Sequence, residues 1–267
     1  MNNYLSKNNN CFIIAELSAN HGGDIEIAKE TVRAAKRAGA DAIKLQTYTA
    51  DTITLDVKSK DFEITQGTHW DGQYLYDLYK EASLPWAWHA ELFALAKEEG
   101  LVCFSSPFDK TAVDFLEELG NPIYKVASFE ITDIPLIEYI ASKGKPVIIS
   151  TGIAEIADIE LAIDTCKNAG NNQITILKCT SAYPALAEDA NLKTVPDIAD
   201  RFGVSSGLSD HTLGIEAPVV AVVLGAKVIE KHFILNKDIG GPDAHFSLDE
   251  TEFSKMVKAV RKAEQMM

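Results

Sequence analysis

Three ionisable residues end a segment that otherwise has the composition of a buried strand. In VIEKHF, residues 228–233, two β-branched apolar residues are followed by Glu230, Lys231 and His232. Because side chains alternate between the two faces of a strand, Glu230 and His232 share one face. A carboxylate and an imidazole side by side are groups that transfer protons or bind a metal ion. The segment therefore predicts a catalytic position.

A second imidazole, His211, follows another strand-like run, GVSSGLS (203–209). If the two runs are neighbouring strands, about 4.8 Å apart, His211 and His232 reach the same ion. Two histidines with open positions suit a catalytic divalent metal better than a closed structural site. Mn²⁺, Mg²⁺ and Co²⁺ all fit such a pair, and zinc remains open.

Lysine and hydroxyl side chains lie at the ends of the other strand-like runs. Lysine supplies a point charge and hydroxyls supply directional donors, which together suit a phosphate or a phosphate with a carboxylate. Taken singly, a serine at a strand end usually caps the next helix, but lysines in apolar strands need a partner because an unpaired buried ammonium is costly. The predicted anion pocket consists of Lys44, Lys125, Lys178, Ser106, Ser128, Ser150, Ser181 and Ser209.

These residues require a fold that gathers many strand ends. Eight β-branched runs alternate with helix-length amphipathic runs, and the 267 residues match the size of an α/β barrel. We predict a (β/α)8 TIM barrel, a single α/β domain over residues 1–267, with its active site at the carboxyl ends of the strands. The predicted strands are CFIIAE (11–16), DAIKLQT (41–47), LVCFSS (101–106), IYKVAS (123–128), PVIIST (146–151), ITILKCT (174–180), GVSSGLS (203–209) and AKVIEKHF (226–233).

Helix boundaries are also readable. Aspartates begin helices over 24–38, 109–119 and 249–264, and glycines end the first two and the helix over 155–169. Residues 48–90 form an oversized, aromatic-rich and partly helical connection. No GxGxxG follows the first run, which argues against an open dinucleotide-binding sheet.

Composition excludes several classes of function. The net charge of −14 disfavours nucleic acid and anionic membranes as partners. No run of 18 apolar residues is present, and the polar start MNNYLSKNNN has no secretion signal. The four cysteines have no CxxC spacing, so we expect reduced core residues in a cytoplasmic protein.

Nine motifs in order carry a family resemblance: IAELSANHGG, KLQT, SSPF, KVASFE, STG, LKCTSAYP, GLSDHTLG, EKHF and GGPD. Over nearly the whole chain they resemble the sialic acid synthase family, whose members condense phosphoenolpyruvate with an amino sugar to make nine-carbon 2-keto acids. LSANH and the insertion WDGQYLYDLYKEASLPWAWH are most similar to the pseudaminate branch. That branch implies 2,4-diacetamido-2,4,6-trideoxy-L-altrose as the sugar; the neuraminate and legionaminate branches are the alternatives.

The resemblance implies a role for each matching position. Phosphoenolpyruvate would contact Lys44, Ser106, Lys125, Ser128, Ser150, Ser181 and Ser209. The sugar would contact Glu16, Gln46, Glu130, Tyr183 and Asp243. His211 and His232 match the metal ligands, and Glu230 matches an acid near the metal. Glu16 or Glu230 would handle protons, and the sequence does not decide between them.

The implied reaction is a condensation in which the metal polarises the sugar aldehyde and C3 of phosphoenolpyruvate attacks it. Water adds at C2, and phosphate leaves by C–O cleavage. The resemblance implies a homodimer; we expect this chain to lack the C-terminal antifreeze-like domain usual in the family. A lidless barrel that binds phosphoenolpyruvate without turnover is the alternative of another class. Trp70, Trp86 and Phe246 would suit a 6-deoxy sugar, but we expect both tryptophans to be helix-packing residues.

Overall fold

The computed structural model describes residues 10–65, 67 and 70–267. Its strands form one closed parallel barrel in chain order, in which the last strand pairs with the first. The strands are β1 (Phe12–Glu16), β2 (Ala42–Thr47), β3 (Val102–Pro107), β4 (Tyr124–Val126), β5 (Val147–Ser150), β6 (Ile174–Cys179), β7 (Ser205–Asp210) and β8 (Val228–His232). The predicted (β/α)8 TIM barrel and its eight strands are confirmed.

Helices follow the strands as the caps predict. Asp24 accepts a hydrogen bond from the backbone of Glu26, and Asp109 caps its helix through the backbone of Thr111 and Ala112. The helices are α1 (Ile25–Ala38), α2 (Ala50–Ile53), α3 (Leu75–Ala82), α4 (Trp86–Glu98), α5 (Lys110–Glu118), α6 (Ile134–Ala141), α7 (Ile156–Asn168), α8 (Thr194–Phe202), α9 (Glu216–Val223) and α10 (Glu250–Glu264). Short 3₁₀ turns span Lys60–Phe62, Ser128–Thr132, Ala187–Asp189 and Lys237–Ile239.

The barrel interior is a packed apolar layer. It contains Phe12, Ile14, Ala42, Phe104, Ile123, Ile148, Leu177 and Val228, all buried. Because side chains alternate along a strand, residues two positions further along also point inward, now at the carboxyl end. Those positions hold Glu16, Lys44, Ser106, Lys125, Ser150, Cys179 and Glu230. The fold thus places a polar layer directly above an apolar one.

Two outer cores fill the space between the strands and the helices. One surrounds β1, β2, β3, β7 and β8, and the other surrounds β4, β5 and β6. Continuous apolar runs are needed because each of these strands is buried on both faces. This explains why the sequence shows strands without polar alternation.

The long connection between β2 and β3 is partly helical, as predicted. It contains α2, the turn at Lys60–Phe62, α3 and α4, and the predicted range 48–90 ends inside α4; Gln66, Thr68 and His69 lie outside the described residues. Trp86 stacks on Phe115 of α5 with ring centroids 4.8 Å apart, and its indole N–H donates to the Tyr48 carbonyl at 3.1 Å. Trp86 is a packing residue, as expected.

The cysteines and the apolar character of the helices bear on two predictions made from composition. All four cysteines are buried and unpaired, in line with the reduced state expected of them. Among the described residues, no helix combines the length and apolar character that a membrane crossing requires. The polar N-terminal stretch falls almost entirely on residues 1–9, outside the described part of the chain.

Candidate active site

A network of buried charges occupies the carboxyl end of the barrel. The Lys44 ammonium lies 2.5 Å from Glu16 Oε2 and 3.9 Å from Glu230 Oε2. The Lys125 ammonium lies 3.5 Å from Glu230 Oε1. All four side chains are nearly inaccessible to water. An arriving anion would compete with these two carboxylates for the two lysines.

Hydroxyl groups surround the two lysines. Lys44 donates to Ser106 Oγ at 3.3 Å, and Ser209 donates to Glu230 Oε1 at 3.0 Å. The Ser128 hydroxyl accepts from the Gly152 backbone N–H at 3.1 Å. The Ser150 hydroxyl, also buried, has no hydrogen-bond partner. These hydroxyls lie at the same end of the barrel as the lysine charges.

Gly152 is a site residue that inspection of polar side chains missed. A Cβ atom at this position would lie 1.9 Å from Ser181 Oγ and 2.7 Å from Ser128 Oγ. Only glycine lets both hydroxyls approach this backbone. The STG motif contains this glycine, but the steric reason for it becomes visible only in the folded structure.

The two glutamates differ in electrostatic environment. Burial raises the pKa of Glu16 to about 7, although Lys44 opposes the shift. Burial also acts on Glu230, but Lys125 and Lys44 outweigh it and lower its pKa. Lys44 resists the effect of burial because Glu16 and Glu230 raise its pKa, whereas burial lowers the pKa of Lys125. Near neutral pH, Glu230 is a carboxylate and Glu16 exchanges a proton.

The two predicted metal-binding histidines lie side by side. The rings of His211 and His232 have centroids 5.4 Å apart at 58°. His211 Nδ1–H donates to the Thr180 carbonyl at 3.0 Å, so in the neutral ring Nε2 is the acceptor nitrogen. Burial first, and then the charge of His211, lowers the pKa of His232 well below its usual value. His232 is therefore neutral, the form that binds metals.

The residues at this position fit a divalent ion. His232 Nδ1 is buried without a hydrogen bond and lies 3.6 Å from Asp243 Oδ2. Within the described residues, no group of three or more His, Cys, Asp or Glu side chains forms a ready-made metal cluster. Two imidazoles with a nearby carboxylate leave most coordination positions for substrate and water, as in a catalytic site.

Residues predicted to contact a sugar lie at the carboxyl ends of the strands or in the loops that follow them. Gln46 donates to Glu16 Oε1 at 3.1 Å, and Asp243 accepts from the Ala19 backbone at 3.3 Å. Burial raises the pKa of Glu130 to about 7, against the opposing charge of Lys125, and its Oε2 has no hydrogen bond. These groups offer polar contacts above the lysine pocket.

An aromatic wall closes one side of the site. The rings of Tyr183 and His211 have centroids 4.4 Å apart, and those of Phe246 and His232 are 4.9 Å apart. Trp70 lies 6.2 Å from the Tyr183 ring and donates its indole N–H to the Pro242 carbonyl at 3.2 Å. The expectation that Trp70 is a helix-packing residue is therefore wrong, because it lies at the barrel mouth.

One predicted lysine does not belong to the pocket. Lys178 shares the outer face of β6 with Ile176, and its ammonium donates to Cys179 O at 2.8 Å and Thr180 Oγ1 at 2.9 Å. The inward position is taken by Cys179, whose sulfur lies 3.8 Å from His211 Nδ1. The prediction for Lys178 is wrong because strand alternation, anchored on inward Leu177, turns it outward.

The sequence predicts Cys179 to be an ordinary core residue, but the structure places its sulfur beside His211. Burial raises the pKa of its thiol, but the hydrogen bond and charge of His211 reverse this and bring it to about 7. The same contact raises the pKa of His211 against the effect of burial. Counting two residues on from Leu177 would have found it, once the inward face was known.

Buried polar atoms without hydrogen bonds are concentrated at this end of the barrel. In the described part of the chain, and leaving aside Glu16 Oε2, which is paired with Lys44, they are Asn20 Oδ1, Asp109 Oδ2, Glu130 Oε2, Ser150 Oγ, Glu230 Oε2 and His232 Nδ1. Four of the six belong to predicted site residues. Since unsatisfied buried polar groups are costly, their clustering indicates a site completed by ligands.

Comparison with known proteins gives a consistent result. The NeuB family pattern matches residues 31–267. A pseudaminic acid synthase of Helicobacter pylori is 51% identical over 94% of this chain and 74% of that protein. An N,N'-diacetyllegionaminic acid synthase of Legionella pneumophila is 42% identical over 96% of this chain and 73% of that protein.

A solved structure with the same architecture is also similar in sequence. The N-acetylneuraminic acid synthetase of Leptospira borgpetersenii superposes with a TM-score of 0.87 at 32% identity, covering 97% of this chain and 85% of that one. The chain spans about three quarters of the length of the two synthases in the sequence comparison. The chain belongs to the NeuB family.

Proposed function

We propose that this protein is a pseudaminic acid synthase. It would condense phosphoenolpyruvate with 2,4-diacetamido-2,4,6-trideoxy-L-altrose and water to give pseudaminic acid and phosphate. The observation that carries the proposal is the position of a buried two-lysine pocket directly beside two neighbouring imidazoles in one barrel mouth. One half suits an anionic phosphate ester and the other suits a metal-held aldehyde.

The choice among nonulosonate sugars rests on similarity. The pseudaminic acid synthase is 51% identical to this chain, against 42% for the legionaminic acid synthase. An N-acetylneuraminate-9-phosphate synthase of mouse is 36% identical. A neuraminate or legionaminate synthase is the second candidate.

For phosphoenolpyruvate, we propose contacts from the lysines and the hydroxyl ring. Lys44 and Lys125 supply positive charge, and the Ser150 hydroxyl, which has no hydrogen-bond partner within the chain, can donate to the ligand. The remaining proposed contacts are Ser106, Ser128, Ser181 and Ser209. Displacing the glutamates from the lysines offsets part of the binding energy, so the site selects ligands with concentrated negative charge.

For the sugar, we propose binding by Gln46, Glu130, Tyr183 and Asp243. His211 and His232 would hold a divalent metal such as Mn²⁺ or Mg²⁺. When bound there, the ion supplies Lewis-acid polarisation of the aldehyde. The aromatic rings beside the histidines would exclude water from the reacting carbon.

The two glutamates suit different proton transfers. Glu16, with its pKa raised to about 7, retains a proton that it can donate to the oxygen formed from the aldehyde. Glu230, with its pKa lowered by two lysines, is ionised and can accept a proton from the water that adds at C2. Groups whose environments separate their pKa values in this way commonly divide the acid and base roles.

The test is a screen of amino sugars with phosphoenolpyruvate and Mn²⁺, following phosphate release and product mass. Turnover of the 2,4-diacetamido-2,4,6-trideoxy-L-altrose substrate above the neuraminate and legionaminate precursors supports the proposal. Faster turnover of another precursor assigns the second candidate. Binding of phosphoenolpyruvate with no phosphate release for any sugar supports a non-catalytic, phosphoenolpyruvate-binding barrel instead.

Homodimer formation and a cytoplasmic location stay predictions. Size-exclusion chromatography with light scattering on the purified chain tests the first. Fractionation of the source cells tests the second.

A further inference from the structure

We propose that Lys231 is a positioning residue whose ammonium joins the ends of β7 and β8 and sets the separation of His211 and His232. The inference rests on the proposed function, because it assigns the histidine pair to a metal. Lys231 lies between Glu230 and His232 in the sequence but takes no part in the pocket. The contacts of its ammonium with the end of β7 indicate the positioning role instead.

Lys231 points away from the barrel interior. It shares the outer face of β8 with Ile229, a member of the outer core, and is fully buried. Its ammonium contacts Asp210 Oδ2 and donates to the Thr212 carbonyl at 2.6 Å. Asp210 Oδ1 in turn accepts from the Thr212 backbone at 2.9 Å and the Thr212 hydroxyl at 2.8 Å.

These bonds hold the residues on both sides of His211. Asp210 is the last residue of β7, and the last main-chain register pair between β7 and β8 joins Asp210 to Lys231. His211 and Thr212 therefore lie past the end of this ladder. The Lys231 side chain ties this stretch to β8 beyond the ladder, next to His232.

The hydrogen bonds of His211 itself lead to a different part of the barrel. Its Nδ1 donates to the Thr180 carbonyl, and its own carbonyl accepts from the Ala185 backbone at 3.0 Å. Both partners lie in the segment that follows β6. Ser209 and the register pairs join β7 to β8 before His211, and past the last register pair the hydrogen bonds of the Lys231 side chain tie Asp210 and Thr212 to β8.

Packing alone does not require an ion pair at this position. One step earlier on the same outer faces, the register pair is Leu208 and Ile229, both apolar and buried. An apolar pair of similar volume usually stabilises a fold as well as a buried ion pair does. The charged pair occurs where the two strands present the histidines, which is where directional bonds fix geometry.

The test measures Mn²⁺ affinity by electron paramagnetic resonance, phosphoenolpyruvate affinity by calorimetry, and thermal unfolding without metal. Lys231→Met leaves Asp210 unpaired, so we expect about a 10 °C drop in melting temperature. We also expect Mn²⁺ affinity to fall about 10- to 100-fold, the usual result of losing support for a metal ligand. Phosphoenolpyruvate affinity should stay within about twofold, because Lys44 and Lys125 are held by other strands.

Two further variants separate positioning from stability. The double variant Lys231→Met/Asp210→Leu removes both charges, so it should recover most of the melting temperature while Mn²⁺ binding stays weak. It is also the deciding variant if Lys231→Met alone fails to fold. Arg261→Met breaks an ion pair with Asp41 at the other end of the barrel. It should lower the melting temperature and leave Mn²⁺ affinity unchanged.

Wild-type Mn²⁺ affinity in the stable double variant overturns the inference and leaves the proposed function intact. Equal losses of Mn²⁺ and phosphoenolpyruvate affinity overturn it as well, because they indicate general disruption of the site. Failure of the wild-type chain itself to bind Mn²⁺ is a distinct result, since it overturns the metal role of the histidines.

Discussion

The two ends of the barrel differ in whether their polar groups have partners within the chain. At the amino end, Asp41 accepts from the Ile13 backbone at 2.8 Å and pairs with Arg261 at 2.6 Å. Arg261 also donates to the Cys11 carbonyl at 2.7 Å and pairs with Glu264 at 3.1 Å. Each of these groups has a partner within the chain.

At the carboxyl end, donors and acceptors remain without partners. The six buried side-chain atoms that lack a hydrogen bond in the described residues, apart from the Lys44-paired Glu16 Oε2, lie at the carboxyl end of a strand or in the loop that follows it. A group left without a partner in a buried site costs free energy of unfolding. The amino end therefore contributes stability, whereas the carboxyl end gives up some stability for ligand binding.

The largest expected effect is on the histidines. Replacing His211 or His232 with Ala should lower kcat by about 10³-fold or more, since Lewis-acid stabilisation of a transition state is worth several kcal/mol. The fold should remain, because neither ring is part of an apolar core cluster. Phosphate release and circular dichroism together check this. A variant that loses its fold would place the histidines with the stabilising groups instead.

Glu130→Gln should raise stability at high pH while lowering activity. Burial raises the folded-state pKa of Glu130 from 4.5 to about 7, so ionising it costs the folded protein stability as pH rises from 4.5 through 7. Glutamine stays neutral, so we expect a gain of about 2 kcal/mol at pH 8 that vanishes below pH 4.5. Urea unfolding at pH 4 and pH 8 measures it. An equal effect at both pH values would contradict the assignment.

Arg261→Met should lower the stability of the protein and leave its activity unchanged. The Arg261–Asp41 pair is partly exposed, so we expect a loss of about 1–2 kcal/mol, less than for a fully buried pair. The kcat of the folded fraction should not change. Denaturant unfolding with a parallel assay tests this. A selective loss of turnover would show that the amino end also serves the reaction.

Ser150→Ala should have the smallest effect. Its buried hydroxyl has no hydrogen-bond partner within the chain, so removing it should leave the free energy of unfolding unchanged or raise it by under about 1 kcal/mol. Phosphoenolpyruvate affinity should fall about three- to tenfold, the loss of one hydrogen bond. Ser206→Ala, at a buried serine on the outer face of β7, is the matched control and should leave that affinity unchanged. Unchanged affinity in Ser150→Ala would remove this hydroxyl from the pocket.

Inference from the sequence succeeded where local periodicity carries the information. The eight strands were found from continuous apolar runs, and the shared face of Glu230 and His232 followed from a period of two. It failed at Lys178, where the strand was right and its face was not. A run buried on both sides has no polar alternation to mark which side faces inward.

The two tryptophans of the long connection show the same limit. Trp86 and Trp70 come from one aromatic-rich segment, and each donates its indole N–H to a backbone carbonyl. One stacks on a helix of the outer layer and the other borders the site. Residue type and spacing do not distinguish the two tryptophans, because the path of the connection depends on contacts with the loop that follows β8.

The sequence by itself determined the barrel, the order of its elements and the chemical identity of the groups at the strand ends. These follow from propensity, capping and periodicity, which act over a few residues. Only the tertiary structure decided which side of each strand faces the mouth, that Cys179 and Gly152 belong to the site, and that Lys231 joins two strands. Those facts depend on closure of the sheet, which brings together residues far apart in the chain.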